Sequence, residues 1–117
     1  MDAKVRFCEP QVTGRAIDAD HLARMTLGER SLEREVLALF DRQADLLLPR
    51  IRGGDRAVAQ ASAHTLKGSA VGIGAFHVAD AAEAVEAAQE AAIAAAIETL
   101  AKVLDEARAE IARLLAA

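Results

Sequence analysis

The C-terminal end of the chain has apolar residues placed alternately three and four positions apart. Within residues 92–116 this spacing joins Ile97, Leu100, Leu104, Ala107, Ile111 and Leu114. Side chains at this spacing share one face of an α-helix, which has about 3.6 residues per turn. The pattern predicts a helix that buries one seam against neighbouring helices. A dimeric coiled coil is the alternative, but a seam of fewer than about three heptads favours a bundle.

Three other long stretches show helical spacing of apolar side chains, at residues 29–51, 55–71 and 75–89. A short helix is expected before them, with Asp18 as its N-cap and Gly28 after its end. The glycine pair at 53–54 breaks the first long helix. Asp55 is placed to cap the next helix, and Gly72 and Gly74 supply its stop and the following turn.

The faces of two of these helices follow from their apolar residues. In the stretch 29–51, the predicted core face consists of Leu32, Val36, Leu39, Phe40, Leu47 and Ile51. Pro49 is expected to kink the last turn or to mark where it unravels. In the stretch 75–89, the residues expected to face inward are Phe76, Ala79, Ala82 and Val85. Its predicted polar stripe contains His77, Asp80, Glu83 and Glu86.

These elements predict an all-α fold, an antiparallel up-and-down four-helix bundle with a short N-terminal covering helix. A chain of 117 residues suffices for one such domain, which we place at 17–117. Residues 1–16 lack a clear period and are interrupted by Pro10 and Gly14, so we expect a flexible arm. The single Cys8 cannot form an internal disulfide and has no Cys or His cluster near it in sequence.

Composition and charge exclude several classes of protein. The formal net charge of −4 argues against nucleic acid as the main partner. The first residues lack the apolar stretch of a signal peptide. No segment approaches the roughly 18 uninterrupted apolar residues of a membrane span. The sequence therefore predicts a cytoplasmic protein that does not bind a membrane.

Residues 63–70 lie near the middle of the chain, within the predicted helix 55–71, and contain its candidate functional residues. Wound at about 100° per residue, His64 falls roughly 160° from Leu66. Leu66 marks the packed face, so His64 is expected to point to solvent. Lys67 lies three residues further on, within reach of an anion carried on the imidazole. Gly68 lies at i+4 from His64, where any larger side chain is expected to crowd the ring.

A glycine inside a helix costs up to about 1 kcal/mol relative to alanine, so its presence suggests a reason. An accessible imidazole, a nearby cation and a cleared approach are what a transient phosphohistidine requires. The alternative is a surface histidine beside a tolerated glycine. Spacing alone does not separate these two interpretations.

The motif itself resembles that of a known family. Histidine-containing phosphotransfer (HPt) domains carry H-x-L-K-G, then small residues, then an aliphatic-Gly-Ala turn. The matching residues here are His64-Thr65-Leu66-Lys67-Gly68-Ser69-Ala70, followed by Ile73-Gly74-Ala75. The resemblance extends from about residue 17 to the C-terminus. It departs at Val71-Gly72, where many members have Ala-Asn or a similar polar pair.

The resemblance implies a phosphorelay intermediate with no cofactor of its own. His64 would accept a phosphoryl group from an aspartate of a response-regulator receiver domain and pass it to another receiver. Mg²⁺ would be held by that receiver, and a hybrid histidine kinase would act upstream. Lys67 would offset phosphoryl charge, and Gln60 would contact the phosphoryl group or the partner. We expect a flat docking surface around His64, formed by Ala57, Ala61, Gly68 and Val71, on a protein that is a monomer.

Two rival classes differ in testable ways. A catalytic histidine-kinase module would need an ATP-binding domain and an acidic residue after the histidine, where this chain has Thr65. The stretch 68–72 lacks the lysine spacing of a P-loop, so we expect no ATP site and no enzyme in the usual sense. The second rival is a helical adaptor that docks receiver or kinase domains without being phosphorylated.

The other two histidines have simpler interpretations. His21 is predicted to be a solvated residue of the short first helix, and His77 a member of the polar stripe. A metal site built from His21, His64 and His77 is not expected, because no Cys or i,i+4 ligand pair accompanies them.

Overall fold

The structure is a computed structural model that describes residues 15–117. Over this range the chain forms helices and no strand. The helices are α1 (Ala19–Met25), α2 (Arg30–Gly53), α3 (Arg56–Ile73), α4 (Phe76–Ala87) and α5 (Glu90–Ala116). The expected all-α class is confirmed. Cys8 and most of the predicted N-terminal arm lie outside the described residues, and the boundary of the domain at residue 17 stays a prediction.

Capping residues set the N-termini of two helices, as the sequence predicts. The Asp18 side chain accepts a hydrogen bond from the backbone N–H of His21 at 3.0 Å. Asp55 accepts one from Val58 N at 2.9 Å. Each bond satisfies a backbone donor that the first helical turn leaves without an intrahelical partner. Asp55 therefore fixes where α3, the helix of His64, begins.

Gly74 ends α3 and lies against the start of α1. Its φ of +81° lies in the left-handed region, which residues with a side chain rarely adopt. A Cβ at this position would also lie 2.8 Å from the carbonyl oxygen of Asp18. The Gly74 carbonyl accepts a hydrogen bond from Asp18 N at 2.9 Å. The absence of a side chain at Gly74 thus allows the start of α1 to lie against the end of α3.

The predicted core face of α2 is wrong in part. The buried residues of α2 are Leu37, Phe40, Ala44, Leu47 and Ile51, again three and four apart. Leu32 and Leu39 are exposed, and Val36 is half-buried. On a helical wheel Leu32 and Leu39 fall roughly 80–100° from Phe40, outside the buried stripe. Ala44 is small, and Leu37 is flanked by Val36 and Leu39, so the sequence alone did not separate the buried stripe from the apolar residues beside it.

Helix α2 does not unravel at Pro49. It continues to Gly53, and the Gly54 N–H caps it by donating to the Arg50 carbonyl. Proline removes one backbone donor and strains the preceding turn. Leu47 and Ile51 on either side are both buried, so packing keeps the last turn helical despite that cost.

The later helices largely follow their predicted faces. In α5, Leu100, Leu104, Ala107 and Ile111 are buried, while Ile97 and Leu114 pack against the edge of the core. In α4, Ala79, Ala82 and Val85 are buried as expected, whereas Phe76 is only half-buried. The buried residues of α4 that the sequence did not predict are Val78 and Ala81. Half of its predicted polar stripe, His77 and Glu86, is half-buried rather than solvated.

Each of the four longer helices packs against two of the others. Helix α3 contacts α2 and α4, and α5 contacts α4 and α2, while α1 packs on α3. Arg108 of α5 fastens α2, with its Nε 2.6 Å from Asp41 Oδ1 and its Nη2 2.8 Å from Asp45 Oδ1. The hydrogen bond to Asp41 raises the pKa of Arg108 above its usual value. The antiparallel up-and-down course of the bundle stays a prediction.

None of the helices described here is long and apolar enough to cross a membrane.

Candidate functional site

Helix α3 presents His64 on the side opposite to its packed face. The buried residues of α3 are small or apolar: Ala59, Ser62, Ala63, Leu66, Ala70 and Ile73. This is the face that helical winding from Leu66 predicts. The His64 side chain is 69% exposed. A partner can therefore approach the imidazole from solvent while the rest of α3 stays anchored in the core.

A carboxylate from α4 holds one nitrogen of this imidazole. His64 Nδ1 lies 2.8 Å from Glu86 Oε2. An ionised carboxylate only accepts hydrogen bonds, so the bond assigns a proton to Nδ1. None of the described residues hydrogen-bonds to Nε2 of His64. In the neutral ring, Nε2 is then the nitrogen with an available lone pair.

The same carboxylate also faces the cation of the motif. Lys67 Nζ lies 3.6 Å from Glu86 Oε1, which is within ion-pair range but too long for a hydrogen bond. Glu86 Oε1 is buried and has no hydrogen-bond partner within residues 15–117. The Lys67 side chain is half-buried. Its predicted contact with a phosphoryl group stays a prediction.

Gly68 lies beside open space. A Cβ built on Gly68 meets no heavy atom within 4 Å, the imidazole included. The expectation that any larger side chain would crowd His64 is therefore wrong for an alanine in this chain alone. A longer side chain, or a partner pressed against this face, is needed before the missing side chain matters for access.

Gln60 has a partner that the sequence did not predict. Its Nε2 donates a hydrogen bond to the backbone carbonyl of Glu86 at 2.9 Å. Gln60 is half-buried as a result, and it ties α3 to α4 one turn before His64. Its predicted contact with the phosphoryl group or the partner is not tested by this geometry.

The other residues predicted for docking lie on the accessible side of α3. Ala57, Ala61, Gly68 and Val71 are all exposed, as is His64. Four of these five side chains are uncharged and small or apolar, so the face has little to obstruct a partner. Their role in docking stays a prediction.

The structure contains an apolar groove beside this face that the sequence did not predict. It encloses about 290 Å³ between α1, α2 and α3. The residues that line it are Met25, Thr26, Leu32, Val36, Leu39, Phe40, Gln43, Ser69, Gly72 and Ile73. Ser69 directly follows Gly68, so the groove opens next to the His64 motif. The sequence does contain a signal for this groove, namely Leu32 and Leu39, which the predicted core face of α2 included.

His21 is not the solvated residue that the sequence predicts. Its Nε2 lies 2.8 Å from the Val71 carbonyl oxygen, and its ring meets that of Phe76 edge-on at 5.0 Å. It therefore fastens α1 to the end of α3. His77 is half-buried on α4. Among the described residues, no group of three or more His, Cys, Asp and Glu is placed to hold a metal ion.

The comparisons with known proteins agree with the motif. The Hpt domain family model matches residues 30–117. The chain belongs to the Hpt domain family, whose members are phosphocarrier modules that work with receiver and kinase partners in two-component signalling.

Among solved structures, the chain is similar to the histidine phosphotransferase ShpA from Caulobacter crescentus. The two share 35% sequence identity with a TM-score of 0.71, and the match covers 84% of this chain and 88% of that one. No curated protein matches the sequence. The family match and the similarity to ShpA together give this chain a phosphotransfer role in two-component signalling.

Proposed function

We propose that this protein is a phosphorelay intermediate in which His64 is the phosphoacceptor. It takes a phosphoryl group from an aspartyl phosphate on one receiver domain and passes it to an aspartate on another. The observation that carries the proposal is the exposed His64 imidazole, which is held at Nδ1 by Glu86 and lies within the motif of the family. Imidazole suits the step because its neutral nitrogen is nucleophilic near neutral pH.

Lys67 and Gly68 support the transfer in different ways. Lys67 makes no hydrogen bond with Glu86, so its flexible side chain is able to turn toward phosphoryl oxygens without breaking one. Gly68 leaves open space beside the histidine into which a partner's loop fits. Phosphoryl transfer needs in-line positioning and stabilisation of charge more than covalent chemistry from the protein. The partner receiver supplies Mg²⁺, and this chain supplies no cofactor.

The receiver docks over the exposed face of α3 and the groove beside it. Ala57, Ala61 and Val71 form the flat part of this surface, and Gln60 holds its edge against α4. The apolar groove extends the surface across α2, where Leu39 is 57% exposed. Exposed apolar patches of this kind on a small domain commonly mark protein interaction sites.

The remaining parts of the proposal concern the whole molecule. The four longer helices run up and down in antiparallel order, with α1 as a short cover. The protein acts in the cytoplasm as a monomer without an ATP site, downstream of a hybrid histidine kinase. The packing of each longer helix against two of the others supports the bundle, and the family supports the choice of partners.

The test is a phosphotransfer assay with phosphorylated receiver domains, in which wild type is compared with His64→Gln. We expect acid-labile, base-stable phosphate on the wild type alone, with both proteins equally helical by circular dichroism. Retained labelling of His64→Gln would overturn the assignment of His64. Binding of receivers without labelling of the wild type would instead support a non-phosphorylated adaptor.

A further inference from the structure

We propose that the surface around His64 is electrically polarised, and that this polarity selects the receiver and sets the direction in which it docks. The α2 side of the surface carries unpaired positive charge, and the α4 side carries unpaired negative charge. A receiver that fits has acidic side chains where it covers α2 and basic side chains where it meets α4. This inference rests on the proposed function, because it describes the partner of the same histidine.

The positive charge lies on α2, beside the exposed leucines. Wound at about 100° per residue, Arg50 falls on the stripe that Leu39 and Leu46 share, one turn beyond Leu46. Arg42 lies within about 60° of both leucines. Both arginines are exposed, and neither has a hydrogen bond or ion pair with another of residues 15–117. Their charges are therefore available to a partner that covers this side of the surface.

Acidic residues of α2 do not neutralise these two arginines. Asp41 and Asp45 are directed to α5, where Arg108 binds both of them. Glu35 lies about two turns before Arg42 and lines a hollow that also includes Leu115 of α5. The α2 side of the docking surface therefore keeps an excess of positive charge.

The negative charge lies on α4. Glu83 is about one turn before Glu86, the residue that contacts His64 and Lys67, and falls within about 60° of it around the helix. Asp80 is about one turn earlier again and within about 60° of Glu83. Glu83 and Asp80 are exposed, and neither has a hydrogen bond or ion pair within the part of the chain that the structure describes.

Lys67 does not reverse the sign of the charge on the α4 side. Its Nζ lies 3.6 Å from Glu86 Oε1, so that one carboxylate offsets its charge. Asp80 and Glu83 remain as two negative charges without a partner in residues 15–117. The two sides of His64 therefore differ in sign.

Opposite charges on the two sides give the surface a direction. A receiver that approaches the wrong way round brings like charges together on both sides, which weakens binding and disfavours that orientation. Phosphoryl transfer needs the attacking nitrogen, the phosphorus and the leaving oxygen in line, so orientation decides whether an encounter is productive. Complementary charges also steer the correct encounter before contact is made.

The experiment compares Arg42→Glu, Glu83→Lys and the double variant that contains both changes. The double variant has the net charge of the wild type but the opposite polarity around His64. Lys102→Glu and Glu106→Lys are the matched controls, because both residues are exposed on α5 and the changes alter the net charge by the same amounts. Thermal unfolding of each variant checks that the fold is kept.

The probe is the phosphorylated receiver that transfers fastest to the wild type. The receiver concentration needed for half-maximal transfer and the rate at saturating receiver are measured at low and at high salt. Arg42→Glu and Glu83→Lys should each raise the half-maximal concentration about fivefold or more at low salt, because each turns an attraction into a repulsion.

The double variant should raise the half-maximal concentration further, and the two controls should leave it unchanged. All of these differences should shrink at high salt, which screens exposed charges. The rate at saturating receiver should change little in Arg42→Glu and Glu83→Lys, because neither side chain contacts His64.

The outcomes separate this inference from the proposed function. A double variant with the half-maximal concentration of the wild type overturns the polarity of the surface alone. Equal effects of Arg42→Glu and Lys102→Glu also overturn it, because overall charge would then account for docking. A wild-type protein that no receiver phosphorylates overturns the proposed function, and the polarised docking surface with it.

Discussion

Gln60 on α3 donates its side-chain amide to the backbone carbonyl of Glu86 on α4, at 2.9 Å. Four residues later on α3, the His64 ring bonds to the side chain of the same glutamate. Two consecutive turns of α3 are thus fixed to one residue of α4. The histidine is exposed to solvent, but the frame around it is anchored between two helices.

Loss of the Gln60 bond should weaken this frame. We expect Gln60→Ala to lower the free energy of unfolding by about 0.5–1 kcal/mol, the usual net value of one hydrogen bond, since alanine offsets part of the loss through its helix propensity. Urea denaturation measures this, with Glu83→Ala as an exposed control. An unchanged denaturation midpoint in Gln60→Ala would show that the bond adds nothing to stability.

Gly68 should separate stability from function. Because a Cβ there meets nothing within 4 Å, Gly68→Ala should raise the free energy of unfolding by up to about 1 kcal/mol. Gly68→Gln should also fold, but its longer side chain should cover the approach to His64 and slow phosphoryl transfer. Denaturation and transfer rates are measured on both variants. Wild-type transfer kinetics in Gly68→Gln would contradict any role for the open space.

The turn between α1 and α2 contains a strained residue. Leu27 has a φ of +56° and is 87% exposed. Left-handed backbone costs roughly 1–2 kcal/mol for most residues with a side chain, and asparagine tolerates it better. We expect Leu27→Asn to raise the free energy of unfolding by about 0.5–1 kcal/mol, as measured by urea denaturation.

The control for Leu27 is another exposed leucine in ordinary helical backbone. Leu46 of α2 serves, because it is also exposed. Leu46→Asn should not stabilise the protein, since it relieves no strain and asparagine is a poorer helix former. Equal stabilisation by both changes would attribute the effect to loss of exposed apolar surface rather than to the backbone.

Structural features with a local signal could be predicted from the sequence. The caps at Asp18 and Asp55, the stop at Gly74 and the outward face of His64 each depend on residues within about one turn of helix. Spacing alone determines such features, because the geometry of a single helix is fixed.

Contacts that depend on how two helices are rotated against each other could not be predicted from the sequence. The Glu86 bond to His64 spans 22 residues, and the His21 bond to Val71 spans 50. The choice between Leu37 and Leu39 for the core of α2 also depends on that rotation. Both leucines lie on plausible apolar stripes, and only packing against α3 and α5 selects one.

The exposed Leu32 and Leu39 of α2 line the apolar groove. If the groove receives a receiver domain, Leu39→Glu should raise the receiver concentration needed for half-maximal transfer at least about tenfold, because it places a charge in an apolar contact. The rate at saturating receiver should change little, since Leu39 is not part of the His64 site. The free energy of unfolding should stay within about 0.5 kcal/mol of wild type, as for exposed positions generally.

Ala112→Glu, on the exposed side of α5, is the matched control and should leave transfer unchanged. Equal effects of the two substitutions would mean that added negative charge, and not the groove, governs docking.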